Sequence, residues 1–251
     1  MINTVYRLAE PRRFEIAFED IELFGQNAIV RPTHLSICNA DMRYYLGTRD
    51  PKVLAQKLPM ALIHEGIGKV VFDPTGTFKS GDRVVMVPNA PCEKDDYIAE
   101  NYLKTSKFCG SSMDGFLQEY VEISPKRLVP LPQGINLNVA AFTEIVSVSV
   151  HAITRFNKIA HARRERIGVW GDGNLGYITA LFLKKTFPQS QIFVFGKTYG
   201  KLSDFTFADA TYAVNAIPGG LTVDHAFECV GGNGSPVAIE QIIDLIKPEG
   251  T

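Results

Sequence analysis

The first half of the chain alternates short apolar runs with turn residues. Four such runs are AIVRPTHLSI (28–37), GIGKVVFDP (66–74), GDRVVMVPN (81–89) and GFLQEYVEI (115–123). Each is short and is bounded by residues that favour turns, which is typical of strands. The triplet Ser80-Gly81-Asp82 predicts a tight turn before a strand. No long amphipathic pattern interrupts this region, so residues 1–143 predict an antiparallel, barrel-like β domain.

The second half alternates between two periodicities. Strand-like runs occur at 166–170, 192–196, 210–214 and 225–231. Between the first two, residues 174–187 have helical spacing at Leu175, Ile178, Leu181 and Phe182. After the last, Ile239, Ile242, Ile243 and Ile246 lie on one face of a further predicted helix. Strands that alternate with helices predict βαβ units and a parallel sheet over residues 144–251.

Two features concern how this second domain begins and ends. Residues 137–156, LNVAAFTEIVSVSVHAITRF, are apolar enough to predict a buried helix at the domain junction. A doubly wound dinucleotide-binding sheet has about six strands, whereas about four candidates follow residue 165. We therefore expect a Rossmann-type parallel sheet that is truncated at its C-terminal side.

Composition and charge exclude several classes of protein. The chain has 251 residues, of which 45% are apolar and 21% charged, and its net charge is −1. The length favours two domains. The charge argues against a surface for nucleic acid or anionic membrane. The longest apolar stretch is interrupted by Glu144 and His151 and is too short to cross a bilayer. Four cysteines without close pairing are not typical of a disulfide framework, and we expect a soluble cytoplasmic protein.

A glycine-rich turn follows the first strand of the second domain. The segment VWGDGNLG has Gly171, Gly173 and Gly176 in G-x-G-x-x-G spacing, between a predicted strand and a predicted helix. Such glycines permit a tight turn, close approach of backbone to a pyrophosphate, and close helix–strand packing. With Asn174 and Leu175, they present the amide groups of a helix N-terminus to phosphate oxygens. The motif predicts a dinucleotide-binding site.

The end of the next strand indicates which dinucleotide binds. An NAD site requires an acidic residue about 20 residues after the turn, to bind the ribose hydroxyls. Gly196 and Lys197 occupy that position here. Without a carboxylate there is no repulsion of a 2′-phosphate, and Lys197 adds attraction. The sequence therefore favours NADP(H), although Lys197 could instead be an ordinary surface lysine.

Candidate metal ligands lie in the first domain and at the junction. His64 and Glu65 end an apolar run, and Cys38 lies upstream in SICNADMRYYLG. Cys and His suit Zn²⁺, and a catalytic zinc site needs three protein ligands and an open position. Glu144 is a carboxylate within an apolar segment, which is costly unless it is paired or binds a cation. Because neighbouring side chains on a regular strand point to opposite faces, His64 and Glu65 need a backbone bend to face one metal, which Gly66 and Gly68 could permit.

The motifs together resemble those of the zinc-containing medium-chain alcohol and polyol dehydrogenases, over the whole chain. Within that family the chain is most similar to the NADPH-dependent ribulose 5-phosphate reductases, which make ribitol 5-phosphate for CDP-ribitol and teichoic-acid synthesis. The resemblance implies a GroES-like catalytic domain, a Rossmann domain and a homo-oligomer, with a cytidylyltransferase as a possible partner. It also implies that Cys38, His64 and Glu144 bind zinc, with Glu65 beside the metal or exchanging into its coordination.

Two departures from the family pattern alter these expectations. Many members bind a structural zinc with four cysteines, but the corresponding segment here has only Cys92 and Cys109. We therefore expect one catalytic zinc and no structural zinc. A hydroxyl residue often relays the proton two positions after the first zinc cysteine, where this chain has Ala40. Asp41, Tyr44 or a water molecule could take that role.

The resemblance thus implies reduction of D-ribulose 5-phosphate by hydride from NADPH, with zinc polarising the carbonyl group. Cys38, His64 and Asp41 are the candidate catalytic residues. A cation is needed for the substrate phosphate, and Arg7, Arg43, Lys52 and Lys57 are the candidates. The alternatives are an NAD(P)-dependent dehydrogenase of an unphosphorylated polyol and a truncated, non-catalytic remnant.

Overall fold

Two compact units make up the protein, Met1–Glu144 and Ile145–Thr251. The structure is a computed structural model, and it describes residues 1–23 and 25–251. Each unit has its own hydrophobic core.

The first unit consists mainly of short strands. These are β1 (Ile2–Glu10), β2 (Arg13–Asp20), β3 (Ala28–Ser36), β4 (Met60–Ala61), β5 (Glu65–Phe72), β6 (Arg83–Met86), β7 (Asn89–Ala90), β8 (Lys107–Phe108), β9 (Val121–Ile123) and β10 (Leu128–Pro130). All their pairings are antiparallel. The largest sheet has five strands in the order β10-β6-β5-β3-β9, and a second has the order β2-β1-β4. The predicted antiparallel β domain is confirmed.

Two short helices, α1 (Asn39–Tyr45) and α2 (Pro51–Lys57), were not predicted from the pattern. Seven residues are too few to display a clear helical period. Their ends are instead defined by side chains. The Asp41 carboxylate accepts from the Cys38 amide at the start of α1, and Asp50 accepts from the Lys52 amide at the start of α2. Helix α1 therefore begins directly after Cys38.

The second unit contains a parallel sheet. Its strands are β11 (Arg166–Trp170), β12 (Gln191–Gly196), β13 (Ala210–Ala213) and β14 (His225–Glu228), in the order β13-β12-β11-β14. The helices that follow β11 are α5 (Asn174–Thr186), α6 (Tyr199–Leu202) and α7 (Ser235–Leu245). Strands predicted at all four positions are present, and the predicted α/β fold with a Rossmann-type sheet is confirmed.

The apolar residues that indicated helix α5 are not its most buried residues. The buried residues are Gly176, Thr179, Ala180 and Leu183, whereas Leu175, Ile178, Leu181 and Phe182 are half-buried. Gly176 determines this orientation, because a Cβ atom there would lie 2.0 Å from the Gly171 carbonyl oxygen. The small-residue face can approach the sheet most closely, and the larger apolar residues lie to one side.

The isoleucine face of α7 is also divided. Ile242 and Ile246 pack against the core, whereas Ile239 is 45% exposed and Ile243 is 66% exposed. Helical spacing identifies residues that share a face, but not how much of that face the neighbouring sheet covers.

The predicted junction helix is two helices, α3 (Leu137–Ala140) and α4 (Thr143–Ile159). Only Ser149, Ile153 and Phe156 of α4 are buried, so the expectation of a buried helix was wrong for most of its length. In the part of the chain that the structure describes, no helix is both long enough and apolar enough to cross a membrane.

Candidate metal centre and nucleotide-binding turn

The segment before His64 bends sharply. Ile63 has φ 71°, a left-handed conformation that is rare for a β-branched residue. His64 therefore lies outside the regular strand, which begins at Glu65. This bend, and not the glycines that follow, allows the neighbouring His64 and Glu65 side chains to approach one point. The expectation of a bend at Gly66 and Gly68 was wrong.

Gly66 and Gly68 lie inside strand β5 and serve packing instead. A Cβ atom on Gly66 would lie 2.5 Å from Leu35 Cδ2, and one on Gly68 would lie 2.5 Å from Val30 Cγ1. Both neighbours belong to strand β3, which pairs with β5. The two glycines therefore allow β3 side chains to lie close against the β5 backbone.

Asp41 holds the two segments of the site together. It is 3% exposed; its Oδ2 accepts from the Cys38 amide at 3.0 Å and its Oδ1 from the Ile63 amide at 2.9 Å. The Ile63 carbonyl in turn accepts from the Phe116 amide at 2.6 Å. Both Asp41 oxygens thus bind backbone, which favours a positioning role for this residue over proton transfer.

Three candidate ligands meet at this point. One ligand atom each from Cys38, His64 and Glu65 lies within 4.8 Å of the others. The Cys38 Sγ and His64 Nε2 atoms are 3.5 Å apart. Zn–S and Zn–N bonds of about 2.3 and 2.1 Å at a tetrahedral angle place those atoms about 3.6 Å apart. The observed separation therefore fits a zinc ion bound by both side chains.

The protonation states in the metal-free protein follow from burial. Burial lowers the pKa of His64, which favours the neutral imidazole that a metal ligand must be. Burial raises the pKa of Cys38 to about 12 and also raises the pKa of Glu65, although hydrogen bonds from Ser36 and Cys38 partly offset the latter. A cation that binds between the Cys38 and Glu65 side chains would offset the cost of their negative charges and favour their ionised forms.

Glu144 lies at the beginning of helix α4, within the first unit. Burial, followed by the negative charges of Glu65 and Asp41, raises its pKa to about 7. Its carboxyl group is therefore close enough to Glu65 to interact electrostatically, although it is outside the 4.8 Å cluster. A cation near Glu65 would reduce this repulsion.

The site accordingly fits a zinc ion by two criteria. Its donors are one thiol, one imidazole and nearby carboxyl groups, and the distance between the sulfur and the imidazole nitrogen matches that expected for two zinc ligands. The other imidazole nitrogen, His64 Nδ1, is buried and has no hydrogen-bond partner among the described residues.

The two remaining cysteines of the first unit are in different environments. Cys92 is exposed, and Cys109 is buried with its Sγ accepting from Arg127 Nη2 at 3.3 Å. Neither belongs to the metal-ligand cluster found among the described residues.

The glycine turn in the second unit connects β11 to α5. Gly171 has φ 132°, and a Cβ atom there would lie 2.8 Å from the Cys229 backbone. Gly173 is the residue before the first turn of α5, and a Cβ atom added there would meet no atom within 4 Å outside the neighbouring backbone. Asn174 and Leu175 begin the helix. Open space at Gly173 beside a helix N-terminus suits the phosphates of a dinucleotide.

Asp172, within the glycine motif, has a role that the sequence reasoning missed. Its Oδ2 accepts from the amides of Lys197 and Thr198, at 2.9 and 2.7 Å. The carboxylate therefore holds the backbone just after strand β12, where the Lys197 side chain is exposed. The position of Asp172 inside the glycine turn is the feature of the sequence that could have indicated this role.

Comparisons with known proteins agree with this arrangement. The profile of the Alcohol dehydrogenase GroES-like domain matches residues 25–133. The Ribulose-5-phosphate reductase of Bacillus spizizenii is 58% identical over 249 residues, which is 99% of this chain and 73% of that protein. Ribulose-5-phosphate reductase 1 of Staphylococcus aureus is 57% identical over 251 residues, covering 100% of this chain and 74% of the relative.

A solved structure is also similar. The crystal structure of S. aureus TarJ in complex with NADPH superposes with a TM-score of 0.83 and 50% sequence identity, covering 100% of this chain and 71% of that one. With the GroES-like match, the zinc-compatible cluster and the glycine turn, these similarities show that the chain belongs to the ribulose-5-phosphate reductases of the zinc-type alcohol dehydrogenase family.

Proposed function

We propose that this chain is a zinc-dependent oxidoreductase that reduces D-ribulose 5-phosphate to D-ribitol 5-phosphate with NADPH. The observation that carries the chemistry is the convergence of Cys38, His64 and Glu65 on one point. The substrate and the cofactor are those named for relatives at 50 to 58% identity. The prediction of an NADP-linked, zinc-type dehydrogenase is thereby supported over a polyol dehydrogenase or a remnant.

Cys38, His64 and the carboxylates of Glu65 and Glu144 would hold the zinc. When bound, zinc supplies a Lewis acid for a carbonyl oxygen, and NADPH supplies the hydride. Asp41 keeps Cys38 and the His64 segment in register through its two backbone hydrogen bonds. The site therefore has rigid support for its ligands, which such chemistry requires.

A proton must also reach the oxygen that becomes the new hydroxyl group. Ala40 has no hydroxyl to relay it, and both Asp41 oxygens accept from backbone amides. The remaining candidates are a water molecule and Tyr44, whose hydroxyl is buried without a hydrogen-bond partner among the described residues.

For NADPH, we assign Gly173, Asn174 and Leu175 to the phosphates and Lys197 to the 2′-phosphate. Gly171 and Gly176 belong to the same cofactor-binding turn and give it its shape. The open space at Gly173 and the exposed Lys197 side chain support this assignment.

The test is a comparison of three steady-state reactions. We expect oxidation of NADPH with D-ribulose 5-phosphate to exceed oxidation of NADH with it, and to exceed NADPH oxidation with D-ribulose. Cys38→Ser should abolish the activity, and the exposed control Cys92→Ser should retain it. Equal rates with both cofactors would contradict the role of Lys197, and equal rates with both sugars would contradict the substrate.

Three further properties stay predictions. A cytidylyltransferase partner and a homo-oligomeric state derive from the family resemblance, and a cytoplasmic location derives from the composition of the chain. Co-purification, light scattering and cell fractionation would test them in turn.

A further inference from the structure

Two arginine side chains next to the metal-ligand segment have unused hydrogen-bonding capacity. Arg43 is in the last turn of helix α1, and Arg49 follows that helix. The Nε atom of each is buried and has no hydrogen-bond partner among the described residues. Neither guanidinium group takes part in an ion pair in the described part of the chain. A partly buried cation in this state is costly unless an anion binds to it.

The acidic residues nearest in sequence are already engaged. Both oxygens of Asp41 accept from backbone amides, and Asp50 accepts from the Lys52 amide at the start of α2. Neither carboxylate is recorded as a partner of either arginine. The positive charge of Arg43 and Arg49 is therefore available to an external anion.

Arg49 is held in a defined position. Its guanidinium carbon lies 4.0 Å from the centre of the Tyr44 ring, and Tyr44 is 1% exposed. Such stacking fixes the guanidinium plane at modest entropic cost. Arg49 is also close enough to His64 for its charge to contribute to lowering the pKa of that imidazole. The cation therefore lies near the metal-ligand cluster.

The other cations considered from the sequence are less suitable. Arg7 is paired with Asp114 and Glu19, and Lys57 donates to Ser111 Oγ at 3.0 Å. Lys52 is exposed on α2. Among these candidates, the buried and unpaired nitrogen of Arg43 distinguishes it, and the structure adds Arg49.

We propose that Arg43 and Arg49 bind the phosphate group of the substrate, a ketose phosphate whose carbonyl group lies at the metal-ligand cluster. The assignment rests on the proposed function and specifies how the phosphorylated sugar is distinguished from the free sugar. One guanidinium group can donate two parallel, charge-assisted hydrogen bonds to the oxygens of a phosphate group. The dinucleotide phosphates have their own site at the N-terminus of α5, in the second unit.

Arg43→Gln and Arg49→Gln in the metal-loaded chain test the proposal. Each lost charge-assisted contact should lower kcat/KM for D-ribulose 5-phosphate by roughly 10- to 100-fold, mainly through KM. Activity with D-ribulose and the Kd of NADPH, measured by fluorescence, should change less than about threefold by the same reasoning. Inhibition by inorganic phosphate should weaken in parallel, and Arg49→Lys should restore part of the loss.

Arg13→Gln, at an exposed arginine of β2, is the matched control and should behave as the wild type. An unchanged KM for D-ribulose 5-phosphate, an equal loss with both sugars, or a weakened NADPH affinity would each overturn the assignment. These outcomes are distinct from failure of the proposed function, in which the wild-type chain itself would not prefer the phosphorylated sugar. Retained zinc content would show that a variant with low activity is folded.

Discussion

Glu144 shows how a single residue couples metal binding to pH. Burial and the neighbouring Glu65 and Asp41 charges raise its pKa to about 7 from the ordinary glutamate value of 4.5. When the pKa of a group is higher in the folded than in the unfolded protein, its protonation stabilises the fold. This contribution is complete at any pH below the pKa of the unfolded state. That contribution is lost as the pH rises through the folded pKa. The metal-free protein should therefore lose stability between about pH 4.5 and 7, where zinc binding becomes more favourable.

We predict that Glu144→Gln removes this dependence. In the metal-free protein, the variant should gain on the order of 1 kcal/mol relative to wild type between pH 5 and pH 8, because it has no charge to bury. Urea unfolding at pH 5, 6, 7 and 8 measures the difference. The exposed Glu119→Gln is the control. If the curves of wild type and Glu144→Gln stay parallel, the ionisation of Glu144 does not oppose folding.

Asp41 acts through the residues that it positions. Both Asp41 oxygens accept hydrogen bonds from backbone N–H groups. In Asp41→Asn, the side-chain NH₂ group would replace one of these oxygens, and two donors would then face each other. We expect about 1–3 kcal/mol lower stability and roughly 10- to 100-fold weaker zinc binding. Unfolding and competition with a chromophoric chelator measure the two effects.

Asp50→Asn is the matched control for this prediction. Asp50 caps helix α2 through the Lys52 amide and has no contact with the candidate ligands among the recorded hydrogen bonds. It should leave zinc affinity unchanged. If Asp41→Asn also left zinc affinity unchanged, Asp41 would not position the ligands.

At the scale of secondary-structure elements, the glycines of the β11–α5 turn have separable roles. Gly176 allows helix and strand to touch, whereas Gly173 borders open space. The first position concerns folding, and the second concerns the approach of a ligand to the backbone.

Two alanine substitutions separate these roles. Gly176→Ala should lower the free energy of unfolding by about 2 kcal/mol or more, because its Cβ would overlap the Gly171 carbonyl. Gly173→Ala should leave stability within about 1 kcal/mol while weakening NADPH binding. Thermal unfolding and NADPH fluorescence titration measure the two outcomes. If Gly173→Ala bound NADPH as tightly as wild type, the phosphates of NADPH would not bind at Gly173.

The elements themselves were largely predictable. Strand β5 and the strands of the parallel sheet lie where turn residues and apolar runs indicate. Helices α1 and α2 were missed because each has only seven residues. Helix α5 was predicted from its apolar spacing, but that spacing did not identify its buried face, since the close approach of Gly176 to the strand determines which side faces the sheet.

At the scale of the whole molecule, the two sites lie in different units. The candidate metal ligands are within Met1–Glu144, and the glycine turn is within Ile145–Thr251. Each unit has a core of its own. The two binding events should therefore be separable by experiment.

We predict that a chelator abolishes reductase activity while the Kd of NADPH changes less than about twofold, since no candidate metal ligand belongs to the nucleotide-binding unit. Fluorescence titration before and after metal removal measures the Kd, and added zinc should restore activity. A large loss of NADPH affinity on chelation would show that metal and nucleotide binding are coupled.

The sequence by itself determined the division into a β-rich half and an α/β half, the glycine turn, and the residue types that could bind zinc. These properties are local, since they depend on periodicity and turn chemistry within a few residues. Only the tertiary structure decided that Cys38 and His64 approach to 3.5 Å and that Ile63 makes the bend. It also decided that the buried Nε atoms of Arg43 and Arg49 have no hydrogen-bond partner among the described residues. Those outcomes depend on contacts between distant segments, such as Asp41 with Ile63, which no local pattern encodes.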